Sequence, residues 1–448
     1  MPGLLRGLRP SPLDRDIARL AVPALGALVA EPLFLLTDTA LVGHLGAESL
    51  AGVGVASTVL QTVVGLLVFL AYATTPLVAR RLGEGDRAGA VAAGIDGMWL
   101  ALAIGVVLAL AAVPLAGPAV AAFGVGGAVA ELGTAYLLVS LAGLPAMLVV
   151  IAGTGLLRGL QDTRTTLVVA GAGFAVNAVL NAILIYPAGL GVAGSALGTV
   201  IAQYAMAAVY AVLAVRSARA TGARLSPSPV ALGQVARSGG WLLLRTVTLR
   251  ASLVLTTVAA AGLGLAALAT AQVALTVFFA LALALDALAI AAQAMLGHAR
   301  GRGDSARIRA IAGRVALLGV LSGVVLALPT AALAGVAGYA FTTDPAVLEA
   351  LPIALLILAA ALPLAGYVFV LDGVLIGMGD NRYLAVAGLA NLAGYGLVLA
   401  PVLLLRPEGA AATAALWAAF AVGMLGPRAL TLGLRVRGTR WLGDVPHR

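Results

Sequence analysis

The sequence predicts an all-α polytopic membrane protein: twelve transmembrane helices in two parallel-repeat six-helix lobes. Three observations predict it. Of 448 residues, 62% are apolar and 10% are charged, against about 45–50% and about 25% in soluble domains. The apolar residues fall into twelve runs, each long enough for the ~20 residues a spanning helix needs. The arginines gather in every second loop between those runs. So little charge excludes an ordinary soluble enzyme. Helices are required because lipid cannot satisfy the backbone of an open strand, and the short alternating segments of a β-barrel are missing.

The runs follow in order. The first, 16–42, comes after a basic segment with Arg6, Arg9, Arg15 and Arg19. It contains Glu31 and Asp38 and no small-residue cleavage pattern, so it reads as a span rather than a cleaved signal. The second and third, 50–79 and 90–114, flank Arg80, Arg81 and Arg87. The fourth and fifth, 128–157 and 165–187, flank Arg158 and Arg164. The sixth, 191–215, leads into a segment with Arg216, Arg219, Arg224 and Arg237. The seventh and eighth are 238–263 and 267–298. A loop with Arg300, Arg302, Arg307, Arg309 and Arg314 precedes the ninth, 310–338. The tenth is 347–377. Arg382 precedes the eleventh, 383–405, and the twelfth, 410–432, is joined by Arg428, Arg435, Arg437, Arg440 and Arg448. The intervening loops hold no arginine except Arg406. Of 27 arginines, 24 lie on one side, and the positive-inside rule makes that side cytoplasmic. A multi-pass protein of the cell (inner) membrane is expected, with both termini cytoplasmic.

The chain repeats at an offset of 218 residues. Gly83-Glu84-Gly85-Asp86 maps onto Gly301-Arg302-Gly303-Asp304, and Pro145 onto Pro363. Gly159-Leu160-Gln161-Asp162-Thr163-Arg164 maps onto Gly377-Met378-Gly379-Asp380-Asn381-Arg382. The offset covers six spans, an even number, so the halves share one orientation, as parallel-repeat transporters do. The expected organisation is an N-lobe at 1–215, a cytoplasmic linker at 216–237 and a C-lobe at 238–448.

Charges inside spans are functional hypotheses by default. Asp38 and Glu31 are seven residues apart, on nearly one helix face. Pro23 and Pro32 interrupt that helix's hydrogen-bond ladder and are the expected bends. A carboxylate there suits a proton or cation switch; the plainer alternative is a hydrated helix end. Asn177 and Asn181 share a face of span five, and span six offers Thr199, Gln203 and Tyr204. With Asp38 they form an oxygen-rich set suited to a proton or Na⁺, although amides and hydroxyls also glue helices. Arg245, Arg250, Asp286 and Asp372 lie in the second half, as buried pairs or as part of a cavity. The offset places Thr256 opposite Asp38, Val68 opposite Asp286 and Thr154 opposite Asp372, so the halves share a scaffold but not a polar site. Asp96 is expected at the interface. There is no cysteine and there are three histidines, so no disulfide, thiol chemistry or histidine metal centre is expected. No nucleotide-binding loop occurs. No cofactor is expected beyond the coupling ion, and no nucleic-acid partner.

The stretch Glu31-Pro32-Leu33-Phe34-Leu35-Leu36-Thr37-Asp38-Thr39-Ala40-Leu41-Val42-Gly43-His44 resembles the first-span signature of the multidrug and toxic compound extrusion (MATE) family, in its DinF-like branch. Gly153-Thr154-Gly155-Leu156-Leu157-Arg158-Gly159 resembles the end of its fourth span, and Leu371-Asp372-Gly373-Val374-Leu375-Ile376-Gly377 the end of its tenth. The resemblance covers nearly the whole chain. It implies two lobes in a V around a central cavity, and efflux of hydrophobic or cationic organic compounds driven by H⁺ or Na⁺. It makes Asp38 the main ion carrier, with Asn177, Asn181 and Thr199 lining the same site. Some relatives have a carboxylate in place of Asn181. Asp372 matches part of a C-lobe cation site in another branch that also uses a span-seven glutamate, where this chain has Arg245 and Arg250. Pro23 matches a proline at which the first helix bends in relatives. A monomer in the bilayer is expected, acting on small organic substrates. The alternatives are a lipid-linked oligosaccharide flippase of the wider superfamily and a non-transporting scaffold.

Overall fold

The computed structural model describes residues 10–443. Arg6, Arg9, His447, Arg448 and the expected placement of both termini lie outside the described residues. Among the described residues, twelve helices are long and apolar enough to cross a membrane. They are α1 Pro12–Gly43, α2 Ala47–Gly83, α3 Arg87–Ala121, α4 Gly127–Gly159, α5 Thr163–Ile185 and α6 Gly191–Thr221, then α7 Pro229–Gly262, α8 Leu265–Gly301, α9 Ser305–Ala340, α10 Pro345–Gly377, α11 Asn381–Leu405 and α12 Gly409–Arg437. Each contains or closely overlaps one apolar run. No strand occurs among the described residues. α2 is interrupted at Val68, α3 tightens into a 3₁₀ turn at Val113–Leu115, and α12 carries a π-helical segment at Phe420–Leu425.

The helices overrun the apolar runs where charge sets in. α6 continues through Arg216 and Arg219, α7 starts at Pro229, and only 222–228 is non-helical between them. Hydropathy ends at the membrane; a helix need not, because its hydrogen bonds are internal.

The contacts divide the chain into two compact units. Val22–Gly239 forms one; the described residues up to Ala21 join those from Gly240 in the other. The two boundaries, before Val22 and before Gly240, are themselves 218 residues apart.

The repeat extends to backbone detail. Asp86 and Asp304 cap α3 and α9, accepting from the amides of Gly89 and Arg307. Gly85 and Gly303 precede them with φ of 84° and 67°. Gln161 holds φ 64° where the other half has Gly379 at 72°, so a side chain is tolerated in a left-handed turn that glycine fits better. α4 packs against α2, α3 and α6 in one unit; α10 packs against α8, α9 and α12 in the other. Their prolines sit equivalently. A Cβ on Gly105 of α3 would meet Pro145 Cα at 2.5 Å, and one on Gly323 of α9 would meet Pro363 Cα at 2.6 Å. Each glycine lets a helix backbone press onto a proline turn, as close helix packing in membranes requires.

Candidate functional site

Asp38 lies in the last two turns of α1 and is only 4% exposed. Three helices bring neutral donors to it. Asn181 of α5 donates through Nδ2 to Asp38 Oδ1 at 2.8 Å, and the Ser195 hydroxyl of α6 donates to the same oxygen. The Tyr136 hydroxyl of α4 donates to Oδ2 at 3.3 Å, with Ser57 and Ser140 facing that hydroxyl. Asn177 completes the ring. Its Nδ2 donates to Thr199 Oγ1 at 3.0 Å, and its Oδ1 accepts from Asn181 Nδ2 at 3.2 Å. Thr199 in turn donates to the Ser195 carbonyl at 3.1 Å.

Spacing explains the assembly. Asn177 and Asn181 are one turn apart, as are Ser195 and Thr199 and also Tyr136 and Ser140, so each pair projects from one face. Gly198 makes room: a Cβ there would collide with Asn181 Oδ1. Among the described residues, the carboxylate's hydrogen-bond partners are one amide and two hydroxyls, with no cation among them. A buried carboxylate paired to nothing positive is costly, and a proton or monovalent cation removes that cost. Among the described residues there is no group of three His, Cys, Asp or Glu that could hold a metal. Any Na⁺ here would rest on Asp38 and neutral oxygens.

The set Asp38, Asn177, Asn181 and Thr199 is therefore one cluster, all within the Val22–Gly239 unit. Glu31 and Pro32 are exposed, while Pro23 is buried. α1 runs as one helix through both prolines; lacking N–H groups, they leave the Arg19 and Leu28 carbonyls without the usual partner. Gln203 is half-buried, with no partner for Oε1. Tyr204 is exposed and donates to the Ala142 carbonyl at 3.0 Å, tying α6 to α4 rather than joining the cluster. Tyr136 and Ser195 are not identified by the sequence reading. Their signal is the same i,i+4 polar spacing that marks the two asparagines.

Among the described residues, the second half has no such cluster. At the 218 offset, Asp38, Tyr136, Asn177, Asn181, Ser195 and Thr199 become Thr256, Ala354, Tyr395, Leu399, Thr413 and Trp417. Thr256 and Tyr395 share a 2.7 Å hydrogen bond. Around them is an apolar core in which Phe420 meets Phe278 edge to face at 5.4 Å and Trp417 at a tilt at 5.2 Å between ring centroids. Asp372 is buried between Arg245 and Arg428, the latter at 3.4 Å. Arg428, which the sequence groups with the cytoplasmic arginines, is buried within α12, which runs on to Arg437. The equivalent contact in the first half is a 3.0 Å hydrogen bond between Thr154 and Tyr210. An ion pair and a neutral bond thus do the same bridging. Asp286 is half-buried and Arg250 exposed. Asp96, expected at the interface, is fully buried within the protein, where Arg224 grips it at 2.5 and 3.0 Å.

The MatE family profile matches residues 23–183 and again 242–402, once per half. Protein DETOXIFICATION 44, chloroplastic, of Arabidopsis thaliana is 30% identical over 376 residues, covering 78% of this chain and 69% of that protein. DNA damage-inducible protein F of Escherichia coli is 33% identical over 193 residues, 43% of this chain and 42% of that protein. The fold is shared with a structure described as the outward-facing conformation of a multidrug resistance MATE family transporter. That match has a TM-score of 0.83 at 22% identity and covers 96% of this chain and 97% of the other.

Proposed function

This chain belongs to the MatE family, a family of transporters rather than enzymes, and on that premise we propose that it exports hydrophobic or cationic organic compounds by antiport with H⁺ or Na⁺ through Asp38. A relative from Thermotoga maritima, 28% identical over 202 residues and named as a probable multidrug resistance protein, supports a drug-like substrate class. The observation that carries the mechanism is a buried carboxylate ringed by neutral donors. An entering ion neutralises Asp38. Neutralisation weakens the charge-assisted bonds from Asn181, Ser195 and Tyr136, and α1 repacks, with Pro23 and Pro32 taking up the change. The repacked helix holds substrate less tightly, so an inward ion releases outward cargo. Linkage makes this reciprocal: substrate must lower ion affinity by the same factor. The arginine-rich ends face the cytoplasm in this reading.

The test is export from proteoliposomes under an imposed pH or Na⁺ gradient. Export that follows one gradient and collapses when it is dissipated supports antiport. Export indifferent to both gradients overturns it.

A further inference from the structure

We propose that the Asp14–Arg314 ion pair is the fixed anchor against which α1 converts ion occupancy at Asp38 into a bend. The proposal rests on the antiport reading and adds the positioning residues that coupling needs.

Asp14 lies in the first turn of α1 and takes a bidentate grip from Arg314 of α9. Nε reaches Oδ1 and Nη2 reaches Oδ2, both at 2.5 Å. The Ser11 amide donates to the same carboxylate at 2.8 Å. Side-chain exposure is 13% for Arg314 and 30% for Asp14, so the pair is partly shielded from screening by water. The neighbouring Asp16–Arg307 contact, at 3.8 Å and about half exposed on both sides, contributes little by comparison.

Asp38 stands 24 residues further along the same helix, about 36 Å at 1.5 Å per residue. It is held in the other compact unit. Between the anchors lie the unit boundary after Ala21 and the two prolines. A helix held only at Asp38 would answer a change there by drifting as a rod. A helix held at both ends must answer by bending, and the prolines are where its ladder is open.

The repeat supplies an independent argument. Arg314 falls, at the 218 offset, on Asp96. Asp96 also makes a bidentate tie, to Arg224 at 2.5 and 3.0 Å, and also accepts a backbone amide, from Ser228 at 3.0 Å. Each position ties down the entry to the first helix of a half, α1 in one case and α7 in the other, with the charges reversed. The tie is shared and its sign is not. α7 carries Thr256 where α1 carries Asp38, so the Asp96 tie holds a helix with no ion switch and serves as an internal control.

The experiment uses the full chain in proteoliposomes, with the lipophilic organic cation ethidium as probe. Arg314→Ala is expected to lose about tenfold or more of its gradient-driven export, the scale of an allosteric coupling. Ethidium binding to the same protein in detergent, and its displacement by the coupling ion, should stay within about twofold of wild type, a split that mere misfolding cannot give. Asp14→Arg combined with Arg314→Asp restores the tie with opposite sign, as the repeat itself does, and should recover export. Asp96→Asn should keep the wild-type ratio of ions moved per ethidium. Full coupling in Arg314→Ala overturns the anchor alone, as does a folded double exchange that remains uncoupled. A wild type that exports without regard to either gradient overturns the antiport reading, and the anchor with it.

Discussion

Replacing Asp38 by asparagine and by alanine separates the site's chemistry from its packing. In Asp38→Asn the amide oxygen can keep the bonds from Asn181 and Ser195 that Oδ1 accepts. Its nitrogen then faces the Tyr136 hydroxyl, which accepts as well as it donates. No bond is lost; three lose their charge assistance, roughly 1 kcal/mol each or about 3 kcal/mol in all. Relief of a buried charge offsets much of that, leaving a net change within about 2 kcal/mol. Asp38→Ala removes the acceptor from all three donors, at about 1–3 kcal/mol per stranded group. The hydroxyls can turn to nearby carbonyls, so about 3 kcal/mol of destabilisation is expected. Thermal unfolding in detergent should therefore rank wild type close to Asp38→Asn and well above Asp38→Ala. Gradient-driven export should be abolished in both, because neither carries an ionisable group at 38. Wild-type export by a folded Asp38→Asn protein would refute the reasoning and move attention to Asp372 and Asp286. Equal destabilisation by both substitutions would refute the assigned hydrogen bonds.

Three further expectations follow from the geometry. Ser195→Ala removes one bond to a charged oxygen, about 1.5–3 kcal/mol, and should displace the ion dependence of export by about tenfold or more; an unchanged ion dependence counts against it. Gly198→Val drives a side chain into Asn181 Oδ1 and should impair coupling as severely as loss of Asn181 itself, read as export per folded molecule. Asp372→Ala takes away the carboxylate that Arg245 and Arg428 share and should cost about 3–5 kcal/mol in thermal stability while export per folded molecule persists; selective loss of export would make the pair part of the pathway.

The span count, the helix class and the repeat were legible because membrane burial writes hydrophobicity directly into the chain. Helix ends were less so: α6, α7 and α12 carry charged turns that hydropathy reads as loop. Asn177, Asn181 and Thr199 stand out because amides and paired polar turns are rare in lipid. Ser195 and Tyr136 do not, since single hydroxyls are ordinary in such helices and only the fold shows that they meet Asp38. The same limit applies to the charges. Asp96 and Arg428 are placed by partners 128 and 56 residues away, and nothing local marks either as buried. The charge pattern of the second half suggests buried pairs among Arg245, Arg250, Asp286 and Asp372, but the third member of the Asp372 group, Arg428, falls near the end of the twelfth run and is grouped by sequence with the arginines that follow it.

Ion release on substrate binding tests the central claim most directly. Purified protein in weakly buffered detergent, titrated with ethidium, should release a proton, or Na⁺ when loaded with it, in proportion to the ethidium bound. Asp38→Asn should bind ethidium and release nothing. Undiminished release from Asp38→Asn, or substrate binding by wild type with no release of either ion, would contradict a carboxylate that exchanges its ion for cargo.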